Sequence, residues 1–527
     1  MTVNPDHKSI YFTKTDFLKA CECPTKLFFR KNTEFQNKDL NDPMLEGLAE
    51  AGYQIEKLAK LYCSHNTGGE TVEIENADWV LGFEESKRWL MDYSEVTLFE
   101  APIVFGDLAA RVDILKKEDG VLSLIEVKSK VVNSSDGIFF WKKKIRALTG
   151  EWEPYIRDIA FQYFVLSKAF PDWPIEPFLY LPDSSKKTSV DGLNQKLASS
   201  ESGAEFLVSE LGEQLLTQVS VKEEVLFILN EWAGPTGQKF QAFVERMTQS
   251  HLTGEFFNHG IGVKCKKCEY KILSRDLALG KKSGFEKCWT TMTSLDKSDL
   301  ANPLVFDLWN FRETEQVFSS KRYLMEEVLE TDLKEETLKE TIQGMTVVDR
   351  QKLQLAKYKA QDTTEHFEKA RFLAESQKWK YPYFFIDFET TQLAVPFLKG
   401  QAPYETVAFQ FSVHKVSHDQ KVEHYDQFIH LKVGEFPSFE FVRALRKCLG
   451  DGPAAGTVFC FSMHENTVLL EILSQLERSL EPDRQELCAW IQTLTHKAGK
   501  KGWVGARGLV DQCALVKAFY YNPFTLG

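Results

Sequence analysis

The 527-residue chain has no apolar run near the roughly 18 residues that a membrane-crossing helix needs, which argues against an integral membrane protein. Its start, MTVNPDHKSIYF, lacks the apolar stretch of a secretion signal, so the chain reads as cytoplasmic. Cysteine is scarce, with 10 residues in all, too few for a disulfide-stapled scaffold. A reducing compartment leaves such thiols free for metals or chemistry, so those that cluster merit inspection. An excess of basic charge is also missing: 64 Lys and Arg stand against 76 Asp and Glu, a net charge of −12. That excludes a generic polyanion binder and confines any nucleic-acid surface to a local patch. There is no internal repeat and no strong low-complexity tract.

What is present is ordinary globular composition, 43% hydrophobic and 27% charged, enough for about three domains at roughly 100–200 residues each. Residues 11–31 predict helix with a Cys-x-Cys-Pro break, and 44–62 predict an amphipathic helix through Met44, Leu48, Ile55, Leu58 and Ala59. Strands follow from about 96 to 130, then a basic stretch, Trp141 to Arg146, and an apolar helix over 155–170. Residues 183–204 read as a surface loop. The acid-rich run 326–340 marks 301–380 as a helical connector, after which 381–527 restarts as a second α/β unit.

Three constellations carry chemistry. Asp119-Gly120 between apolar runs predicts a two-residue hairpin turn, which pairs 118 with 121 and sets Asp113 opposite Glu126. Like charges so placed, with Cβ atoms about 4.5–5.5 Å apart, repel. Alternation adds Lys128 to the face of Glu126 and turns Ile125 and Val127 the other way. A divalent cation such as Mg²⁺ or Mn²⁺ would relieve the repulsion while the lysine serves a water; a solvated strand face with a cross-strand salt bridge is the other reading. In YIRDIAFQYFVLSKAF, Asp158 and Gln162 share one face of an apolar helix and need partners, either a site or a neighbouring loop to cap.

The order of helix, D-I-L, turn, I-E-V-K and Q-Y helix resembles the PD-(D/E)XK nucleases, specifically the RecB-like branch. The resemblance implies a restriction-endonuclease-like core over 8–300, in which Asp113 and Glu126 bind metal, Lys128 is the catalytic lysine, and Gln162 and Tyr163 form the glutamine-tyrosine motif. Such nucleases commonly carry a metal-binding histidine on the early helix; 44–62 has none, and Glu46, Glu50 and Glu56 stand nearest.

The second constellation is Cys265-Lys-Lys-Cys268 with Cys288, three thiols that leave a tetrahedral site one ligand short. Cys23 could complete it, with Cys21 as the alternative; zinc, an Fe–S cluster and unliganded thiols are all open on spacing alone. One cysteine before the core and three after it is similar to the RecB-like nucleases with an iron–sulfur staple, including CRISPR-associated ones. That resemblance implies a 4Fe-4S cluster on Cys23, Cys265, Cys268 and Cys288. Lys264, Lys266, Lys267 and Lys271 beside the cysteines, with Trp141 to Arg146, suit a track for single-stranded DNA or duplex ends.

The third is the strand YFFIDFET, apolar but for Asp387 and Glu389 on one face. Burying both without counter-charge is costly; a two-metal site removes the cost, and so does a strand end open to solvent. With Glu465 at the head of ENTVLLEIL, this resembles the DEDD 3′–5′ exonucleases of the RNase H-like fold. The resemblance implies metal ligands at Asp387, Glu389 and Glu465, with Asp511 in a later V-D segment. The sequence stops at NPFTLG, before the last acidic motif, so this domain is expected to be incomplete. The whole predicts an α/β protein: a metal-dependent DNA nuclease stapled by Fe–S, or a nucleic-acid-binding module that no longer cuts.

Overall fold

The computed structural model describes residues 11–66, 68–199, 211–272, 274–334, 342–452 and 455–524. The chain is α/β and divides into two compact units, Met1–Ser294 with Leu393–Glu405, and Leu295–Gln392 with Thr406–Gly527.

In the first unit, β1 (Phe12–Thr13), β2 (Glu70–Glu73), β3 (Val96–Phe105), β4 (Leu108–Glu118), β5 (Val121–Val127), β6 (Ile175–Pro182) and β7 (Leu216–Ser220) form one sheet. Its order is β2-β3-β4-β5-β6-β7, with β1 parallel to β4. Asp119 and Gly120 take φ of 50° and 76°, the paired left-handed residues of a tight hairpin turn. Glu118 accordingly pairs with Val121 and Ile114 with Ile125, the register expected from the turn.

Alternation then sorts the side chains. Leu122 and Leu124 face the core built with α4 (Trp79–Asp92) through Leu90 and with α5 (Glu153–Ala169) through Ile156, Phe161 and Val165. Ile125 and Val127 face Ile55, Leu58 and Tyr62 of α3 (Pro43–Asn66). Only the second half of the expected α3 stripe is buried: Ile55, Leu58 and Ala59 are inside, whereas Met44 and Leu48 are exposed. The break predicted in 11–31 separates α1 (Lys14–Glu22) from α2 (Lys26–Lys31).

Residues 184–192 are not a plain surface loop. Thr188 exchanges backbone hydrogen bonds with Gly400 and Gln401, and Gly192 donates to the Phe397 carbonyl, so this stretch holds the 393–405 segment in the first unit. Residues 200–204 lie outside the described residues.

In the second unit, β8 (Tyr383–Thr391), β9 (Val407–Val416), β10 (Val422–Ile429), β11 (Thr457–Cys460) and β12 (Val510–Asp511) form a sheet of order β10-β9-β8-β11-β12. The first three are antiparallel neighbours and the last two join in parallel.

The expected connector, 301–380, groups with this unit and is only partly helical. Leu304, Leu324 and Leu329 each donate a backbone N–H to the carboxylate three residues on, Asp307, Glu327 and Asp332, at 2.8 Å. Acids that look like a helix surface thus close single turns, which competes with continuous helix. Residues 335–340 of that run lie outside the described residues.

Two glycines are expected to respond oppositely to alanine. A Cβ at Gly284 would sit 2.8 Å from the Tyr270 Cβ and 3.1 Å from the Phe29 ring, whereas Gly52, inside α3, has nothing within 4 Å. Gly284→Ala should lower stability by about 1–3 kcal/mol through overpacking, and Gly52→Ala should raise it by about 0.8–1.0 kcal/mol through helix propensity. Urea-unfolding midpoints of the full chain check both signs.

Candidate active site and cysteine cavity

Thr13 caps α1 in a reciprocal box with Asp16, which fixes Lys14 as the first helical residue. From there its ammonium reaches Glu126 Oε1 at 2.9 Å, Asp113 Oδ1 at 3.6 Å and Asp158 Oδ1 at 4.0 Å. Lys128, just past β5, meets the same acids from the other side, 2.6 Å from Glu126 Oε1 and 2.7 Å from Asp158 Oδ2. Gln162, one turn after Asp158 on α5, donates to Glu126 Oε2 at 2.6 Å and Asp158 Oδ1 at 3.0 Å. Asp113 Oδ2 accepts the Val127 N–H at 2.8 Å.

Glu126 and Gln162 are fully buried, and Asp158 is 3% exposed. Three carboxylates and two ammonium groups therefore share one pocket, leaving an excess negative charge. Burial raises the Asp113 carboxyl above its usual range, with Lys14, Lys128 and the Val127 N–H opposing. Burial works against the charge on Lys14 and Lys128, yet the surrounding carboxylates raise both ammonium groups above the ordinary lysine range. Gln162 Oε1 is buried without a hydrogen-bond partner, an unused acceptor beside the acids. The residues fit a divalent cation: Mg²⁺ asks for one or two protein carboxylates, the rest of its shell being water and phosphate, and Asp113 and Glu126 supply two.

The structure brings Asp113, Glu126, Lys128, Asp158 and Gln162 together. Tyr163 is not part of the group. It lies about 100° round the helix from Gln162, partly buried against the core, and interacts electrostatically with Lys222. Two residues escaped the sequence reading. Lys14 sits in a segment where it passes for one of several surface lysines; the Thr-x-x-Asp cap before it is the signal that could have placed it. Tyr404 comes from the 393–405 segment with φ of 57°, and it hydrogen-bonds Ser129, the neighbour of Lys128, close to Tyr155. Burial raises its phenol pKa, and no local pattern announces it. Glu46 and Glu50 are exposed on α3, and Glu56 pairs with Lys60 at 2.9 Å, away from these acids.

Cys23, Cys265, Cys268 and Cys288 line one cavity of about 370 Å³ together with Phe29, Phe285 and Trp289. Cys21 is elsewhere, buried in the main core. Burial, and then the nearness of Cys23, Cys268 and Cys265, push the Cys288 thiol up, while burial lifts Cys268 to about 11. Around a single tetrahedral zinc, sulfurs 2.3 Å from the metal sit about 3.8 Å from one another. These four do not gather so tightly: among the described residues, the one group of three or more ligand atoms mutually within 4.8 Å is His430, Glu435 and Glu440. Lys264, Lys266 and Lys267 beside the cysteines are exposed, as are Lys142, Lys143, Lys144 and Arg146.

In the second unit Asp387 and Glu389 share a face of β8 as expected, but both are exposed, so the cost of burying them does not arise. β8 enters from a core of Phe384, Ile386 and Phe388 on its opposite face, which leaves this one to solvent. Glu465 is the buried acid, 4% exposed, with Oε2 unpartnered. Burial raises its pKa, His464 opposes, and the charges of Asp387 and Asp511 add to the rise. Asp511 caps a following helix through the Cys513 and Ala514 N–H groups and accepts from the Ser462 N–H. Asp387, Glu465 and Asp511 thus face one another loosely.

Residues 384–527 match the model of a domain of unknown function, DUF2779. No curated protein and no solved structure matches the chain.

The first-unit pocket makes a definite thermodynamic statement. Lys14→Met and Glu126→Gln are expected to couple, the double variant being about 0.5–3 kcal/mol more stable than additivity requires, because each single change takes from a buried charge one of its opposite-charge partners. A urea-unfolding double-mutant cycle in EDTA measures the coupling.

Proposed function

We propose that the chain is a metal-dependent DNA nuclease, with the first unit hydrolysing phosphodiester bonds in single-stranded DNA or at duplex ends. The observation that carries this reading is the meeting of Asp113, Glu126, Lys128, Asp158 and Gln162 on a hairpin and the helix behind it. Asp113, Glu126, Lys128 and Gln162 are four of the residues to which the resemblance to RecB-like PD-(D/E)XK nucleases gives a role; Asp158 joins them, and Tyr163, the fifth, does not.

Asp113 and Glu126 would hold Mg²⁺ or Mn²⁺, which when bound polarises a phosphate oxygen and lowers the pKa of a water. Gln162 clamps the second oxygen of Glu126 and one of Asp158, so the carboxylate keeps a single orientation. Lys128 is anchored at its base by the strand and at its tip by Glu126 and Asp158; it is placed to orient an attacking water and to offset charge developing on the phosphate. Exposed Lys142, Lys143 and Lys144 offer the phosphate backbone a cationic path.

The cysteine cavity supports a 4Fe-4S cluster on Cys23, Cys265, Cys268 and Cys288, with zinc as the alternative metal. Such a centre would tie the start of the unit to its end and add folding free energy, since the ligands converge only in the fold. The second unit supports an RNase H-like, DEDD-related reading through its sheet order and its acids Asp387, Glu389 and Glu465. Two exposed acids with no ion-pair partner among the described residues do not commit it to catalysis.

One observation favours the rival, a nucleic-acid-binding module that does not cut. Lys14 occupies the mouth of the carboxylate group with its own positive charge, where a metal would have to displace it.

With labelled single- and double-stranded DNA, cleavage should require Mg²⁺ or Mn²⁺ and stop with EDTA. Asp113→Ala, Glu126→Ala and Lys128→Ala should each abolish it, and Asp387→Ala should leave it unchanged. Binding without cleavage by the wild type selects the rival, and loss through Asp387→Ala alone would move the chemistry to the second unit.

Anaerobically purified protein should be brown, with iron and acid-labile sulfide in equal amounts, and Cys265→Ala should lose colour and stability together. Stoichiometric zinc without iron would select the alternative metal.

A further inference from the structure

β10 ends at Ile429, and His430 carries its ladder one step further by donating its backbone N–H to the Phe409 carbonyl at 2.9 Å. The imidazole is held against Phe428, which packs on the core of the second unit. Its side chain is 5% exposed, and its Nε2 is buried with no hydrogen-bond partner. A buried ring nitrogen in that condition is costly.

What faces it is two carboxylates. Glu435 Oε2 lies 3.6 Å from Nε2 and Glu440 Oε2 lies 3.8 Å away. Both distances exceed a direct hydrogen bond, at about 2.7–3.2 Å. They suit two ligands of one ion: Zn–N of about 2.0–2.1 Å and Zn–O of about 2.0–2.2 Å at a tetrahedral angle set N and O about 3.4 Å apart. The three ligand atoms already lie within 4.8 Å of one another.

The carboxylates have a cation of their own. Lys432 Nζ is 3.3 Å from Glu435 Oε2 and 3.8 Å from Glu440 Oε1, but its side chain is 62% exposed and can swing into water. An ammonium only donates, so it could serve Nε2 as well; in the structure it does not, and the ring nitrogen stays unpaired.

We propose that His430, Glu435 and Glu440 form a binding site for a divalent ion of the zinc type. One imidazole with two carboxylates is a borderline donor set, which favours Zn²⁺ over the all-oxygen preference of Mg²⁺ or Ca²⁺. The ion closes the loop between β10 and α6, here the helix Ser438–Leu449, whose first turn carries Glu440. It orders a segment that otherwise holds Leu431 and Val433 out in solvent, 78% and 101% exposed. The proposal stands apart from the nuclease reading, since it uses no residue of the first unit.

The test is limited trypsin digestion of the full chain at the Lys432–Val433 bond, after EDTA treatment and with Zn²⁺ added back. At a free Zn²⁺ concentration near ten times the dissociation constant, cleavage of the wild type should slow about tenfold. His430→Ala and Glu440→Gln should be cut at the same rate with and without Zn²⁺, and equilibrium dialysis should find one Zn²⁺ equivalent fewer in each. Zinc on the cysteines is common to all three proteins and cancels. The Glu440 side chain is 46% exposed, so its variant keeps the comparison valid should the His430 variant fold poorly. Unchanged wild-type cleavage with Zn²⁺, or equal protection in Glu440→Gln, overturns the proposal.

Discussion

The fully buried carboxylate of Glu126 constrains the first unit more than any other group. An ionised carboxylate away from water is tolerable only when paired and hydrogen-bonded. Glu126 meets that demand with Lys14 from the first helix, Lys128 from its own strand end and Gln162 from the helix behind the sheet. Three elements far apart in sequence are therefore held to one point. The Thr13–Asp16 capping box sets where the first helix begins, the Asp119-Gly120 turn sets the register that delivers Asp113, and the apolar faces of the sheet keep the assembly dry.

The two units treat acids in contrasting ways. In the first, the strand carboxylates turn inward and are neutralised by lysines. In the second, Asp387 and Glu389 turn outward to water, and the acid that pays for burial is Glu465, on a helix, with one oxygen left unpartnered. Identical alternation on two strands yields opposite chemistry, because both faces of β5 are covered by core, whereas the face of β8 that carries Asp387 and Glu389 is open to solvent.

The cysteines show a related constraint. Cys23 follows the first helix and Cys288 lies in the last helix before the second unit, yet one cavity takes both. Gly284 permits that by letting its helix approach Phe29 and Tyr270 closely. Aromatic packing among Phe28, Phe29, Phe35 and Phe256 builds the cavity's support.

What depends on the geometry of a few consecutive residues was already legible in the sequence: the Asp-Gly turn and its register, the alternation that separates Glu126 from Ile125 and Val127, and the placing of Asp158 and Gln162 one turn apart on one helix face. These follow from strand and helix periods, which act within a dozen residues. The acid-rich run at the head of the second unit misled for the same local reason, since carboxylates that close single turns and carboxylates on a helix surface have the same spacing. Long-range packing, by contrast, brings Lys14 among the carboxylates, Tyr404 to Ser129, Asp387 and Glu389 to solvent, and His430 to Glu435 and Glu440 with no hydrogen bond at its Nε2. Each depends on which face of an element is covered by chain elsewhere, and burial, which sets the cost of every charge here, has no value until that packing exists.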